Sequence, residues 1–151
     1  MILLVDTREQ SALQFSIDEV LTEVRREKLD VGDYMVRFID GTVPPVSFER
    51  KSLSDLFGTM GSGYKRFKAE MARAKDAGIQ LIIIVEGTVS DVLQGPPYSQ
   101  IKGISMLRKL MMLWVRYDIP IVFCQGPKEA AVIVRQFFEA VGRNWVKEAS
   151  E

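Results

Sequence analysis

Two short runs of strand-forming residues, joined by a turn signal, constrain the fold of this chain more than any other sequence feature. Residues 34–39 and 46–51 are rich in aromatic and β-branched residues, and Asp40-Gly41 between them is typical of a hairpin turn. The pattern predicts an antiparallel pair of strands that folds back at this turn.

The predicted hairpin brings charged residues together. A turn centred near residue 41 sets Asp33 opposite Glu49. Side chains alternate between the two faces of a strand, so Lys51 shares the face of Glu49 and Arg50 points the other way. Two prolines at the start of the second strand predict a bulge, which leaves open a register shift of one or two residues.

Two carboxylates beside a lysine are the minimum set of side chains for cutting a phosphodiester with a divalent metal. Carboxylate oxygens are the ligands that Mg²⁺ and Mn²⁺ prefer. We expect Asp33 and Glu49 to bind the metal, and Lys51 to orient the attacking water or to stabilise developing negative charge. Asp6 ends the first predicted strand, residues 2–6, so it is a third candidate ligand, directly or through water.

Each of these residues also has a plainer structural interpretation. Asp33 alone suits a turn, and Asp6 suits a cap on the turn that follows it. Glu49 and Lys51 alone suit solvent-facing positions of a strand. Asp55, a further catalytic candidate, fits equally well a capping box that begins three residues earlier. If there were no metal site, all of these plainer interpretations would have to hold at once. The joint occurrence of these residues therefore favours a metal site.

Composition narrows the class of protein. The chain has 151 residues, 47% of them apolar, which suits one domain with one sizeable core. It has no histidine and a single cysteine, Cys124, which excludes histidine-based catalysis and an intramolecular disulfide and argues against zinc. Its apolar runs are far shorter than the roughly 20 residues of a membrane span. We therefore expect an intracellular protein without a membrane partner, cytoplasmic if its source is bacterial, archaeal or phage.

A cluster of basic residues stands out although the net charge is zero. Five cations occur within eleven residues, offset only by Glu70: Lys65, Arg66, Lys68, Arg73 and Lys75. One interpretation is a solvated face of a helix. Beside a metal site the same cluster is a candidate phosphate track, and we expect its first three cations to contact DNA.

The remaining pattern alternates helices and strands and predicts an α/β fold. A capping box at Ser16 and Glu19 predicts a helix over residues 16–28. A glycine-rich run at 58–63 predicts a flexible loop and not a dinucleotide fingerprint, because it does not follow a strand. The other expected elements are a short helix 52–57, a basic helix 64–77 ended by Gly78, a central strand 79–86, a loose segment 88–102, a helix 105–117, a strand 119–123 and a helix 128–145.

The last two predicted helices carry an excess of apolar residues, on two faces of the first helix and along one stripe of the second. Ile104, Leu107, Met111 and Trp114 follow one face of the first of them, while other apolar residues follow a second face. One interpretation is a pair of core helices that flank the sheet. The other is a homodimer interface built in part from these C-terminal helices.

Three motifs resemble the nuclease domain of the XPF/Hef family of structure-specific endonucleases. They are Val5-Asp6-Thr7-Arg8-Glu9, Val31-Gly32-Asp33-Tyr34, and Glu49-Arg50-Lys51 followed by Asp55. The signature of the family is Gly-Asp, a variable gap, Glu-Arg-Lys, three residues and Asp, and all of its fixed positions are present. Arg66 and the strand end Val85-Glu86-Gly87 also match, so the resemblance covers nearly the whole chain.

The resemblance implies a restriction-endonuclease-like core, with a central mixed β-sheet flanked by helices, over residues 1–146. Residues 147–151 are expected to form a frayed tail. It implies Mg²⁺- or Mn²⁺-dependent cutting of DNA near flaps, forks or other junctions, in repair or recombination. Asp33, Glu49 and Lys51 would then form the catalytic centre.

The remaining roles implied by the resemblance are supporting ones. Asp6 and Asp55 would be supporting acids. Glu9, Arg50 and Arg66 would be structural or contact DNA, and Arg8 is a further candidate DNA contact. Glu70 stands where the family pattern favours glutamine, and the tandem helix-hairpin-helix pattern of the longer members is not seen in this sequence.

Two other function classes remain open. One is a DNA-binding or scaffold subunit of a paired nuclease complex that does no chemistry, although such a subunit would usually have lost Asp33, Glu49 or Lys51. The other is a restriction- or resolvase-type nuclease with a different substrate.

Overall fold

One six-stranded sheet organises the chain. A computed structural model describes residues 1–150, with side chains described through residue 148. The strands are β1 (Ile2–Val5), β2 (Glu23–Arg26), β3 (Tyr34–Arg37), β4 (Val46–Ser52), β5 (Gln80–Glu86) and β6 (Ile121–Cys124). The helices are α1 (Leu53–Met60), α2 (Tyr64–Ala77), α3 (Val89–Gln94), α4 (Gly103–Tyr117) and α5 (Pro127–Ser150). The strand order is β2-β1-β3-β4-β5-β6.

Among the strands of residues 1–150, β3 alone runs against its neighbours in the sheet. It is antiparallel to β1 and β4, whereas the other three neighbouring pairs are parallel. The sheet is therefore mixed, as predicted, and the restriction-endonuclease-like α/β fold is confirmed.

The hairpin has the predicted register. Tyr34 of β3 pairs with Phe48 of β4, which sets Asp33 opposite Glu49 without a shift. The N–H of Asp33 donates to the carbonyl of Phe48 at 2.7 Å, so the pairing continues to the acid.

Helices cover both faces of the sheet. On one face, Phe48 packs edge-on against Phe137 and Phe138 of α5, at ring distances of 5.1 and 5.5 Å. On the other face, Ile83 of β5 and Leu110 of α4 belong to a second core that includes residues of α1 and α2. This second face also carries Glu49 and Lys51, because they are in register with Ile83 and Val85 of β5. No helix within residues 1–150 has both the length and the apolar character to cross a membrane.

The predicted helix over residues 16–28 is wrong. The carboxylate of Asp18 instead accepts the N–H groups of Val20 and Leu21 at 2.8 and 2.9 Å, which closes a turn. The chain then forms the edge strand β2, which pairs in parallel with β1. Tertiary pairing at the sheet edge therefore outweighs the local helix signal at Ser16.

Smaller differences concern where elements begin and end. The segment expected to be loose contains α3, which Thr88 and Asp91 begin with a reciprocal capping box. β6 begins only after Pro120, which has no N–H to donate. The last helix continues to Ser150, so residues 147–150 of the expected tail are helical and residue 151 lies outside the described residues.

The topology collects strand ends at one edge of the sheet. β1, β4, β5 and β6 all run in the same direction, so their carboxyl ends meet at one edge, together with the start of the opposing β3. Asp6, Asp33, Lys51 and Glu86 all lie at this edge.

Candidate active site

Gly32 has a steric reason to precede Asp33. It has a φ of +73°, and an added Cβ would lie 2.0 Å from the hydroxyl of Ser47. That hydroxyl donates to the carbonyl of Val31 at 2.8 Å. Only glycine fits this close contact between the chain entering β3 and strand β4. The Gly-Asp motif is therefore first a packing requirement that fixes the backbone of Asp33.

Asp33 is held by backbone bonds on two sides. Its carbonyl accepts the N–H of Asp6 at 2.9 Å, and its side chain accepts the N–H of Arg50 at 2.8 Å. The acid is thus joined to the end of β1 and to the strand that carries Glu49. This confirms that the hairpin brings the two acids to one place.

Glu49 and Lys51 lie on the same face of β4, as the strand period predicts. Lys51 Nζ is 3.3 Å from Glu49 Oε1, and Glu49 is 6% exposed. The side chain of Arg50 lies on the other face, where it pairs with Glu86. The three consecutive residues therefore divide into a buried glutamate beside a half-buried lysine at the site and an arginine outside it.

The surroundings of Asp33 and Glu49 raise the pKa of both carboxyl groups. Burial raises the pKa of Asp33 to about 7, although the N–H of Arg50 opposes the rise, and the charges of Glu9 and Glu70 add to it. Burial, together with the charges of Asp33 and Glu70, raises the pKa of Glu49 well above its usual range. Lys51 offsets only part of this. Perturbed acids of this kind concentrate at functional sites.

Glu70 is a site residue that sequence reasoning did not place. Its Oε1 accepts the N–H of Gly32 at 3.1 Å, and its charge adds to the rise in the pKa of Glu49. The helical period could have indicated that Glu70 faces the site. Phe67, Met71 and Ala74 are the buried residues of α2, and Glu70 lies on the same side of the helix.

The donor set fits a hard divalent cation. Two carboxylates raised in pKa by burial and mutual repulsion would gain from a cation between them, and carboxylate oxygen suits Mg²⁺ or Mn²⁺. Within the described residues, no group of three or more acidic or cysteine side chains has the arrangement of a metal site. Two carboxylates with water completing the coordination are a usual way for proteins to bind Mg²⁺.

Asp6 lies at this edge, but its oxygens have other partners. Oδ1 accepts the N–H of Leu29 at 2.9 Å, and Oδ2 accepts the side chain of Arg8 at 2.7 Å. Burial alone would raise the pKa of Asp6, but these hydrogen bonds hold it below its usual value. Arg8 also donates to the carbonyl of Leu29 at 3.2 Å, while much of its side chain remains exposed.

Arg50 is enclosed by acceptors. Its guanidinium pairs with Glu86 of β5, lies 3.5 Å from Glu9 Oε2 and donates to the carbonyl of Ser11. Its side chain is 13% exposed. These contacts tie the loop after β1 to the ends of β4 and β5, on the face opposite the acids.

Asp55 and the basic helix lie at the border of the site. The N–H of Asp55 donates to the hydroxyl of Ser52 at 3.1 Å, so Ser52 caps α1 as predicted, and the side chain of Asp55 is exposed. In α2, Arg66 lines a groove together with Lys51. Lys68 instead extends over the ring of Tyr64 at 5.9 Å and lines a separate cleft.

Comparisons with known proteins agree with this geometry. A family model described as "ERCC4 domain" matches residues 5–137. The fold is similar to the solved structure of XPF from Aeropyrum pernix, with a TM-score of 0.71 and 21% identity over 99% of this chain and 69% of that chain. XPF from Aeropyrum pernix in complex with DNA matches with a TM-score of 0.70 and 21% identity over 95% of this chain and 66% of that chain. A comparison with curated proteins finds no match.

Proposed function

Because the chain belongs to the ERCC4 domain family, we propose that it is a metal-dependent endonuclease that cuts branched, flap or fork DNA in repair or recombination. The observation that carries this proposal is the pair of a half-buried Asp33 and a buried Glu49, with Lys51 3.3 Å from Glu49, at the edge where the strands end. The solved relative in complex with DNA supports DNA as the substrate.

Each side chain of the site has a role in this proposal. Asp33 and Glu49 would hold Mg²⁺ or Mn²⁺, which supplies an activated water and neutralises charge on the phosphate when bound. Lys51 would orient that water or stabilise the charge that develops on the phosphate. Asp6, with both carboxylate oxygens hydrogen-bonded, would hold the chain that carries Asp33, although direct or water-mediated binding to the metal stays a prediction.

The DNA backbone would follow the basic side of the site. Arg66 lines the same groove as Lys51, so we propose that it contacts a phosphate near the cut, with exposed Lys65 and Lys68 next to it in sequence and Arg8 at the other side. Arg50 is enclosed by carboxylates, so its contribution to DNA binding would be to hold the site in shape. Asp55 would act as an exposed acid at the rim.

A cleavage assay tests the function and the site together. Labelled flap, fork and linear duplex DNA would be incubated with the protein and Mg²⁺, Mn²⁺ or a chelator. We expect metal-dependent cutting, and a fall of roughly 10²-fold or more in Asp33→Asn, Glu49→Gln and Lys51→Met. Arg143→Met, an exposed cation on α5 at the opposite face of the sheet, is the matched control and should cut like the unaltered protein.

The same assay distinguishes the competing function. Cutting that is unchanged in the three site variants would refute the site. DNA binding with no cutting in either metal would favour a non-catalytic DNA-binding or scaffold subunit. Cutting of linear duplex in preference to every branched substrate would favour a restriction-type nuclease.

We further propose that a second copy of the chain packs on the outer face of α4. Leu110 and Leu113 of this helix are buried against the sheet, as the core interpretation predicts, whereas Ile104, Trp114 and Val115 are exposed. Val115→Glu is expected to convert a dimer into a monomer in light scattering. Ile39→Glu, an exposed apolar residue near the hairpin turn, is the control. A monomeric unaltered protein at micromolar concentration would refute the dimer.

A further inference from the structure

A groove of about 940 Å³ opens next to the catalytic centre. Lys51 and Glu70 line it from the site, Arg66 lines it from α2, and Tyr98 lines it from the loop before α4. The glycine-rich run 58–63 contributes much of the remaining lining, so few bulky side chains obstruct the groove. Its volume is within the range of roughly 300–1,000 Å³ that is typical of sites for small organic ligands.

Tyr98 is unusually exposed for an aromatic residue. It has 68% of its surface in contact with solvent, although burial is what normally makes an aromatic ring stabilising. Its hydroxyl donates to the hydroxyl of Ser54 on α1 at 2.7 Å. The side chain is therefore fixed at its backbone and at its far end, while the ring itself stays open to a ligand.

The loop that carries Tyr98 is also held in place. Gly95 has a φ of +69°, a conformation that favours glycine, and it lies beside the ring of Phe57. Pro96 and Pro97 restrict the next two residues, and the N–H of Ser99 donates to the carbonyl of Pro96 at 3.1 Å, which closes a turn around Tyr98. A ligand that contacts this ring would therefore cost little ordering of the protein.

The groove combines the two chemistries that recognise a nucleotide. Lys51 and Arg66 supply positive charge for phosphates, and Tyr98 supplies an open aromatic face for a base. In the described part of the chain Tyr98 belongs to none of the core clusters, so packing does not account for an aromatic residue at this position.

We propose that this groove holds an unpaired base of the strand being cut, stacked on Tyr98, while Lys51 and Arg66 face the adjoining phosphates. The proposal rests on the proposed endonuclease function and adds a requirement to it. Bases within a duplex are already stacked on their neighbours, so only a single-stranded or unpaired nucleotide can present its face to the ring. The groove would thus make the site select DNA that is unpaired beside the cut.

Substrates that each lack one base near the cut test the stacking. With the unaltered protein, we expect one abasic position to slow cleavage roughly fivefold to a hundredfold. Tyr98→Leu should slow cleavage of the intact substrate by a similar factor, and the same abasic position should then add nothing. Tyr98→Phe keeps the ring and should retain most of the rate. Tyr117→Leu, which alters a 40% exposed tyrosine in a separate cleft, is the control.

Two results of that experiment would overturn the proposal. One is a Tyr98→Leu variant that cuts at the unaltered rate. The other is an abasic effect that multiplies with the Tyr98→Leu effect, because independent losses show that the base and the ring do not contact each other. Thermal unfolding of Tyr98→Leu checks that the variant is folded, which its exposure predicts.

Photocrosslinking separates this proposal from the endonuclease function. A series of fork DNAs, each with 5-iododeoxyuridine at one unpaired position next to the junction, would be irradiated with the unaltered protein in a chelator, where no cutting occurs, and the crosslink mapped by mass spectrometry. A crosslink at Tyr98 supports stacking, even if the protein cuts no substrate and the endonuclease function fails. Metal-dependent cutting with the crosslink elsewhere or absent refutes the groove and leaves the endonuclease function intact.

Discussion

The backbone N–H of Arg50 donates to Asp33 Oδ2 at 2.8 Å. The strand that carries Glu49 and Lys51 thus also fixes the other acid, through a backbone N–H that every substitution of Arg50 except proline retains. The consequence is that half-buried Asp33 and buried Glu49 are held together whether or not a cation is present. Their raised pKa values show that this costs free energy in the metal-free protein.

The metal-free protein should lose stability as pH rises from about 5 to 8. Burial raises the pKa of Asp33 to about 7 in the folded state, against roughly 4 in an unfolded chain. The folded state then binds the proton more tightly, so this stabilisation is complete below pH 4 and is lost as pH rises through 7. We expect a loss on the order of 2–4 kcal/mol, or roughly 5–10 °C in Tm, in thermal unfolding with a chelator.

Few other groups in the chain would contribute to this pH dependence, and two control measurements isolate the acid pair. The chain has no histidine, so few other groups titrate in this interval. Asp33→Asn should flatten the dependence and raise Tm at pH 8, and Mg²⁺ should restore the stability of the unaltered protein at pH 8 because it binds the deprotonated acids. A metal-free Tm that is constant or rises between pH 5 and 8 would contradict the raised pKa values assigned to Asp33 and Glu49.

Glu70→Gln should separate the charge of this residue from its hydrogen bond. The amide oxygen can still accept the N–H of Gly32, but the charge that raises the pKa of Asp33 and Glu49 is gone. The pH at which the metal-free protein loses stability should therefore move lower. Mg²⁺ affinity, measured by calorimetry, should weaken several-fold because one nearby negative charge is lost.

Glu70→Ala is the informative partner of that variant. It removes the charge and also leaves the N–H of Gly32 without its acceptor, which costs about 1–3 kcal/mol if water does not replace it. Lower stability of the alanine variant than of the glutamine variant would establish the hydrogen bond. Equal stability of the two would show that only the charge matters.

The local sequence pattern was sufficient to predict the hairpin and the positions of its two acids. The Asp40-Gly41 turn and the period of a strand place Asp33, Glu49 and Lys51 correctly, because these residues are close in sequence and their register is set by one turn. The helix α2 was predicted with its observed bounds, because Gly78 ends it in the left-handed conformation.

Long-range contacts explain what the sequence did not reveal. Glu70 meets Gly32 across 38 positions, and Tyr98 meets Ser54 across 44, so no local pattern joins either pair. Residues 23–26 became an edge strand because β1 offered a free side, although the capping signal at Ser16 favoured a helix. The side chain of Arg50 likewise pairs with residues that are distant in sequence, Glu86 and Glu9.

Removal of the Arg50 side chain should destabilise the fold more than it weakens DNA binding. In Arg50→Met, Glu86 loses its cation and Glu9 Oε2, a buried atom without a hydrogen bond, loses the charge 3.5 Å away. A buried carboxylate left alone costs about 3–5 kcal/mol, which denaturant unfolding would measure. Restoring Mg²⁺ should not recover this loss.

The double variant Arg50→Met with Glu86→Gln tests whether the carboxylate left without a cation causes the loss of stability. It removes one of the stranded charges, so it should be more stable than Arg50→Met alone. A single variant with unaltered stability and a lower salt dependence of DNA binding would instead show that Arg50 contacts phosphate directly.

Arg66 and Lys68 should differ in how they affect DNA binding, although they lie two residues apart. Arg66 lines the groove with Lys51, whereas Lys68 extends over Tyr64 and lines a separate cleft. A side chain that neutralises one phosphate contributes about 0.9 to the slope of log affinity against log salt. Arg66→Ala should therefore reduce the slope by about that amount, and Lys68→Ala should reduce it less.

Binding would be measured by fluorescence anisotropy on a fork substrate across a salt series, in a chelator so that no cutting occurs. Both substitutions remove one exposed cation from α2, so overall charge is matched and only the position differs. Equal slopes in the two variants would show that the helix acts through its general charge. A larger loss at Lys68 would place the phosphate track on the opposite side of α2, away from Lys51.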